Sequence, residues 1–345
     1  MDLSTKYLGL TLAHPLMPGA SPLTDTLDGC KRLEDAGAAA LVLRSVFEEQ
    51  ITREELGTLH DLVVDDASDA EALRHFPRPN EFAFAPDRYL EHLRQAKAAV
   101  GVPVIGSLNG TARAGWLAYA QQIEQAGADA IELNLYHVPT DPRESGVDVE
   151  RRLLDAVRHL KWTVRIPVAV KLSPFFSSMS NLAVELDALR ADGLILFNRF
   201  YQPDIDPEML QAVPRLYLSS PDELLLRIRW LAILCGRVEA SLAVTGGVHT
   251  GEDVLKAIMA GADAVQIVSA LLERGIVYLT HLRRELSHWL EAHEYDSLRQ
   301  VHGRVSLMHT PNAEAFERGN YLSVLQHWRP RSASPVLHPS TRGGQ

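Results

Sequence analysis

The chain has 345 residues, 46% of them hydrophobic, which is enough for one large buried core, and its formal net charge of −10 offers no general attraction to nucleic acid or anionic lipid. The opening MDLSTKYLGLTLAHP lacks a basic region followed by an apolar run, and no segment approaches the roughly 18 apolar residues of a membrane span. Neither a secretory signal nor a membrane segment is expected, the two cysteines Cys30 and Cys235 are too few for a disulfide framework, and cytoplasm is the default location.

In chain order, the first predicted strand is Leu16–Met17, followed by the turn Ala20-Ser21. The second, Ala40–Leu43, follows a helix stopped at Gly37 and leads into Arg44-Ser45. Glu48 to Pro86 is charged, proline-containing and longer than an ordinary connection, and reads as a lid over the mouth of a barrel. A third strand over Val102–Gly106 leads to Ser107 and Asn109, a fourth over Ala130–Leu133 to Asn134, and a fifth over Pro167–Lys171 ends on the lysine itself. The sixth, Leu194–Phe197, is followed by Asn198 and then by a second insertion, Arg199 to Ser219, with a short β-like run at Arg215–Leu218. Ser220-Pro221-Asp222-Glu223 restarts a helix with a cap, an N1 proline and a capping glutamate.

The seventh strand, Leu242–Thr245, ends at Gly246-Gly247, where the missing side chains let backbone N–H groups approach an anion. Thr250, with Asp253 three residues on, caps the helix Glu252–Met259. The eighth strand, Ala264–Val268, is followed by the turn Ser269-Ala270 and a short helix, Leu271–Arg274, whose first N–H groups would face the same anion. The near-continuous apolar strands suit a sheet buried on both faces, and eight strand–helix units favour a closed (β/α)8 TIM barrel over an open sheet. The expected organisation is a single barrel domain over residues 1–328, with lid insertions after strands two, four and six, and a loose tail from Arg329 to Gln345.

In such a barrel, phosphate is commonly held after strands seven and eight, and residues just after each strand point into the mouth. Lys171 stands out there, because a barrel interior prefers Val or Ile at such a position. It reads either as a strand-end lysine reaching solvent or paired with a carboxylate, or as a cation held beside an electron-rich ring. No histidine, cysteine and carboxylate set has a metal-ligand spacing.

PGAS at 18–21, IELNL at 131–135, VKLSPFF at 170–176, FNR at 197–199, VTGGVHTGEDV at 244–254, GADAVQIVSAL at 261–271 and YDSLRQVHG at 295–303 form an ordered set. With them the chain resembles the dihydroorotate dehydrogenase family, in particular its soluble class 1 branch, from about Leu8 to Leu307. The resemblance implies an FMN-dependent oxidoreductase acting on a CH–CH group in pyrimidine biosynthesis. By it, Gly246, Gly247, Ser269 and Ala270 match the flavin phosphate cradle, and Lys171 matches the lysine beside the flavin N1 and O2 edge. Ala20 and Ser21 match the first turn lining the flavin, and Asn134 and Asn198 two amides that bond flavin or pyrimidine; Asn109 joins the expected cofactor-binding residues by its place at the mouth after strand three. Arg44 stands where the family has a further flavin-contacting lysine, with Ser45 beside it.

The loop after strand four departs from the family pattern. There the family reads Asn-Leu-Ser-Cys-Pro-Asn, with cysteine, or serine in other branches, as catalytic base; here the chain reads Asn134-Leu135-Tyr136-His137-Val138-Pro139. The base becomes His137, or Tyr136, and a substrate-binding asparagine becomes Pro139; another falls near Arg74. An imidazole with an ordinary pKa of about 6.5 is a competent base near neutral pH.

The leading expectation is oxidation of dihydroorotate or a related small dihydropyrimidine, with hydride passing to the flavin N5. A close alternative resembles the pyrimidine-reducing subunit of dihydropyrimidine dehydrogenase. With no cysteine cluster for iron–sulfur centres in this chain, electron transfer would then involve a partner protein. Barrel enzymes of this resemblance often pair as homodimers. Other readings are a phosphate-sugar lyase or isomerase using Lys171 as a Schiff base, and a flavin-binding protein without catalysis.

Overall fold

A computed structural model of the chain describes residues 1–51, 86–110, 116–135, 137–199, 202–213, 216–317 and 321–327. Met1–Thr310 forms one compact unit and Pro311–Gln345 a second, whose described elements are a 3-10 turn at Ala313–Phe316 and a helix at Tyr321–His327. The predicted tail, the bulk of the Glu48 to Pro86 insertion and both Tyr136 and Arg74 lie outside the described residues.

Two short strands, β1 (Thr5–Tyr7) and β2 (Leu10–Leu12), form an antiparallel hairpin at the start. The barrel strands follow as β3 (Leu16–Pro18), β4 (Leu41–Val42), β5 (Val46–Phe47), β6 (Val104–Gly110), β7 (Ala130–Leu135), β8 (Val168–Lys171) and β9 (Gly193–Leu196). After a second hairpin, β10 (Asp204–Asp206) with β11 (Gln211–Val213), come β12 (Ser241–Thr245) and β13 (Ala264–Ile267). The helices between them are α1 (Leu27–Asp35), α2 (Pro86–Ala99), α3 (Trp116–Gln125), α4 (Gly146–Thr163), α5 (Met179–Ala188), α6 (Leu224–Leu234), α7 (Gly251–Ala260), α8 (Ser269–Arg274) and α9 (Tyr278–Ala292).

Eight parallel strands are paired in the order β3-β13-β12-β9-β8-β7-β6-β4. The Ala39 N–H donates to the Leu16 carbonyl at 3.0 Å and links the two ends, so the sheet is a nearly closed (β/α)8 barrel, as eight strand–helix units predict. Among the described residues, no helix is long and apolar enough to cross a membrane.

Strand alternation separates the two faces of the barrel. Leu108, Leu133, Val170, Leu194, Val244 and Val265 are fully buried beneath the helices. The opposite set begins with Ile105, Ala130, Ala169, Ile195, Ala243 and Ala264, which cluster with Tyr7, Leu8 and Leu12 of the first hairpin. These small side chains let the hairpin plug the N-terminal end; a Cβ on Gly193 would come within 2.5 Å of Leu8 Cδ2. Higher along the same face the sequence turns polar, with Ser107, Glu132, Lys171, Thr245 and Gln266, and that change of character sets where a site can form.

Three local expectations need correction. The third strand runs to Gly110 rather than Gly106, because Ser107 and Asn109, polar but facing the barrel axis, continue the ladder against β7 and give β5 its partner. The described β-hairpin of the second insertion is Asp204 to Val213, and of the predicted run Arg215–Leu218 the described residues 216–218 form no strand, Arg215 lying outside them; Asp206 Oδ1 accepts from the N–H groups of Glu208 and Met209 and turns the chain there. Ser269 and Ala270 are the first residues of α8 instead of a turn before it. The cap of α7 forms as read: Thr250 Oγ1 accepts from the Asp253 N–H at 3.2 Å, and Asp253 Oδ2 from the Thr250 N–H at 2.9 Å.

His14, just before β3, is buried, and its Nδ1 accepts from the Leu16 N–H at 3.2 Å. Burial, with the nearby Arg283 cation, pushes its pKa down to about 4 from an ordinary 6.5. The unfolded chain therefore binds one more proton between those values, so stability present above pH 6.5 is lost as pH falls toward 4, by up to about 3 kcal/mol. Urea unfolding of the wild type and of His14→Asn at pH 7 and pH 4.5 should show a smaller acid loss in the variant. Equal losses would contradict this role for His14.

Candidate active site at the C-terminal mouth of the barrel

Lys171 ends β8 inside the barrel and is 7% exposed. Its Nζ lies 2.9 Å from Glu132 Oε1 and 3.4 Å from Gln266 Oε1, and the Gln266 amide donates to Glu132 Oε2 at 2.6 Å. Glu132 is 1% exposed, so this carboxylate is fully withdrawn from water and is satisfied by the lysine and the amide. Ser107 Oγ reaches Glu132 Oε1 at 3.5 Å and Ser45 Oγ at 2.7 Å, while the Ser107 N–H donates to the Tyr89 hydroxyl at 2.8 Å. A polar chain thus crosses from the β4–β5 connection to β13.

The register places three predicted residues in one row: Asn109 pairs with Asn134, and Asn134 with Lys171. Neighbouring strands are spaced about 4.8 Å apart, so these side chains share one wall of the mouth. Both asparagines are buried, and Asn134 Oδ1 has no hydrogen-bond partner among the described residues. Ser21 Oγ, in the turn after β3, is likewise buried and without a partner among the described residues, and Ala20 beside it is half-buried. Unsatisfied buried polar atoms are costly in a folded chain. Asn198, two residues beyond β9, is half-buried and ties its N–H to the Leu172 carbonyl at 2.8 Å.

At the end of β12, Gly246 and Gly247 have φ of +84° and +81°. Added Cβ atoms would come 2.9 Å from Arg227 Nη2 and 2.5 Å from the Leu224 nitrogen, so the turn needs glycine for space as well as for conformation. The Gly247 N–H donates to Ser219 Oγ at 3.0 Å, and Ser219 Oγ lies 2.8 Å from Ser269 Oγ. His249 Nε2, 2.7 Å from the Ser219 carbonyl, ties that segment to the glycine turn. Ala270 is fully buried behind Ser269.

Two predicted residues stand apart from this cluster. Arg44 Nη1 is 2.6 Å from Asp25 Oδ2, so its guanidinium is engaged at the rim. His137 is exposed on the loop after β7, with Nε2 3.3 Å from Glu144 Oε2; Glu144 also pairs with Arg152. Among the described residues, no hydrogen bond joins His137 to the Lys171 network.

A family model for dihydroorotate dehydrogenase matches residues 2–290. The chain belongs to the dihydroorotate dehydrogenase family. It is 28% identical over 307 residues to the catalytic subunit of dihydroorotate dehydrogenase B (NAD(+)) from Thermoplasma acidophilum, covering 88% of this chain and 98% of that one. The corresponding Pyrococcus furiosus subunit is 25% identical over 308 residues, again covering 88% and 98%. The NAD-dependent dihydropyrimidine dehydrogenase subunit PreA of Escherichia coli is 23% identical over 318 residues, covering 88% of this chain and 76% of that one. Membership of the dihydroorotate dehydrogenase family makes the chain an oxidoreductase acting on a CH–CH group, in a family that is generally flavin-dependent.

Sequence reasoning alone had not singled out Glu132, Gln266, Ser219 or Arg227. Glu132 and Gln266 carry a signal, each being a polar residue in the middle of an apolar strand, AIELNL and AVQI. Arg227 breaks the apolar helix LLLRIRWLAIL in the same way.

Proposed function

We propose that this dihydroorotate dehydrogenase-family chain is an FMN-dependent enzyme that oxidises dihydroorotate or a related dihydropyrimidine. The observation carrying this reading is the row Asn109, Asn134 and Lys171 at the mouth, with Asn134 Oδ1 buried and without a partner among the described residues. A ring with alternating donors and acceptors satisfies such atoms. FMN fits the residues present: Ala20, Ser21, Ser45, Asn109, Asn134, Asn198 and Lys171 would hold the ring. Gly246, Gly247, Ser269 and Ala270 would hold the phosphate.

When bound, the flavin supplies the hydride acceptor for the oxidation. Lys171 places a fixed positive charge at the end of β8, oriented by Glu132 and Gln266, where it stabilises developing negative charge. Arg44 lines the rim, steadied by Asp25. His137, on the loop after β7, takes the proton from the substrate carbon, and Glu144 orients its ring. Tyr136, its neighbour, is the second candidate for that duty.

A Schiff-base lyase is disfavoured by the family, whose matched relatives are dehydrogenases. The two cysteines of the chain cannot ligate an iron–sulfur cluster between them, so electron transfer through such a cluster would involve a partner protein. The purified protein is expected to be yellow and to release FMN on denaturation. Release of no flavin, from protein refolded with excess FMN, would remove the proposal.

A further inference from the structure

Behind the Gly246-Gly247 turn lies a buried cation without a full counter-charge. Arg227, on the first turn of α6, is 5% exposed. Its Nε donates to the Thr245 carbonyl at 2.5 Å and its Nη1 to the Glu223 carbonyl at 2.6 Å, so the guanidinium clamps the end of β12 to the start of α6. Its Nη2 faces Gly246, where a Cβ would come within 2.9 Å.

The charge around it does not balance. Among the described residues, the carboxylate paired with Arg227 is Glu223, at 3.7 Å from Nη2, and Arg199 Nη1 holds the same side chain at 2.6 Å. Two guanidinium groups therefore share one carboxylate. Burial of Arg227 and the neighbouring Arg199 charge both oppose the cation, and Glu223 alone offsets them. A buried, under-compensated arginine is costly unless an anion completes it.

We propose that Arg227, with Arg199 and Glu223, makes the glycine turn selective for a phosphomonoester: it fixes the turn through Thr245 and supplies the positive charge that a phosphate dianion neutralises. Arg227 is a positioning residue in this scheme, and the inference rests on the flavin reading above. Its specific consequence is discrimination between FMN and riboflavin, which differ by the phosphate alone.

The test is binding of FMN and of riboflavin to the flavin-stripped full chain, followed by quenching of flavin fluorescence, for wild type, Arg227→Met, Arg227→Lys and Arg199→Gln. Wild type should prefer FMN. Arg227→Met should lower FMN affinity by about tenfold or more while leaving riboflavin affinity within about twofold, as expected for loss of a charge-assisted contribution. Arg227→Lys should recover part of the preference. Arg199→Gln, at a half-exposed position where folding is not at stake, should lower FMN affinity about threefold or more with riboflavin unchanged. Equal losses for both flavins, or an unchanged FMN preference in Arg227→Met and Arg199→Gln, overturn the inference alone. Wild-type protein that binds neither flavin overturns it together with the flavin reading.

Discussion

Replacing Lys171 by alanine is expected to weaken flavin retention or slow flavin reduction, and to destabilise the fold by about 3–5 kcal/mol. The stability loss arises because Glu132, 1% exposed, is left without its cation inside the barrel, with Gln266 and Ser107, among the described residues, remaining to satisfy it. The two effects separate in a double variant. Lys171→Met with Glu132→Gln removes both charges, retains an amide to meet Gln266, and should recover most of the stability while flavin reduction stays impaired. Urea denaturation and photometric flavin reduction measure the two quantities. Wild-type flavin behaviour in Lys171→Ala would remove the role assigned to this lysine, and unchanged stability would show that the Glu132 pair is not what holds this layer.

Replacing His137 by alanine should lower the reductive rate by about 10²–10⁴-fold, the range expected for loss of a general base. His137 lies on an exposed loop with its imidazole against Glu144, outside the packed core, so the variant should unfold at the wild-type denaturant concentration. That separation makes the result readable: a slow but stable variant with normal flavin content points to proton removal. An unchanged rapid-reaction rate would transfer the duty to Tyr136 or another acceptor.

The barrel was legible because its strands are apolar on both faces and recur at helix-stop glycines, a pattern set by local burial. The extension of β6 to Gly110 was not, because Ser107 and Asn109 interrupt the apolar run while facing the barrel axis, where polar side chains find partners. The hairpin from Asp204 to Val213 was misplaced for a related reason: its strands are three residues each and carry Asp and Gln, leaving little alternation to read. In the site, the end-of-strand positions of Asn134 and Lys171 followed from the fold class, and the structure places them side by side. What surrounds Lys171 could not be read that way. Glu132 lies 39 positions from Lys171 and 134 from Gln266 in the chain, and only barrel closure brings the three into contact. The rim differs again: Arg44 is drawn to Asp25, nineteen residues earlier, by an ion pair that no motif marks.

The most direct test of the central claim is anaerobic mixing of the flavin-loaded protein with dihydroorotate and, separately, with a panel of other dihydropyrimidines, following loss of the flavin absorbance band. The proposed function predicts bleaching by at least one member of this panel, lost or strongly slowed in His137→Ala. A stoichiometrically loaded protein that none of them bleaches would contradict the assignment of this barrel as a dihydropyrimidine-oxidising enzyme.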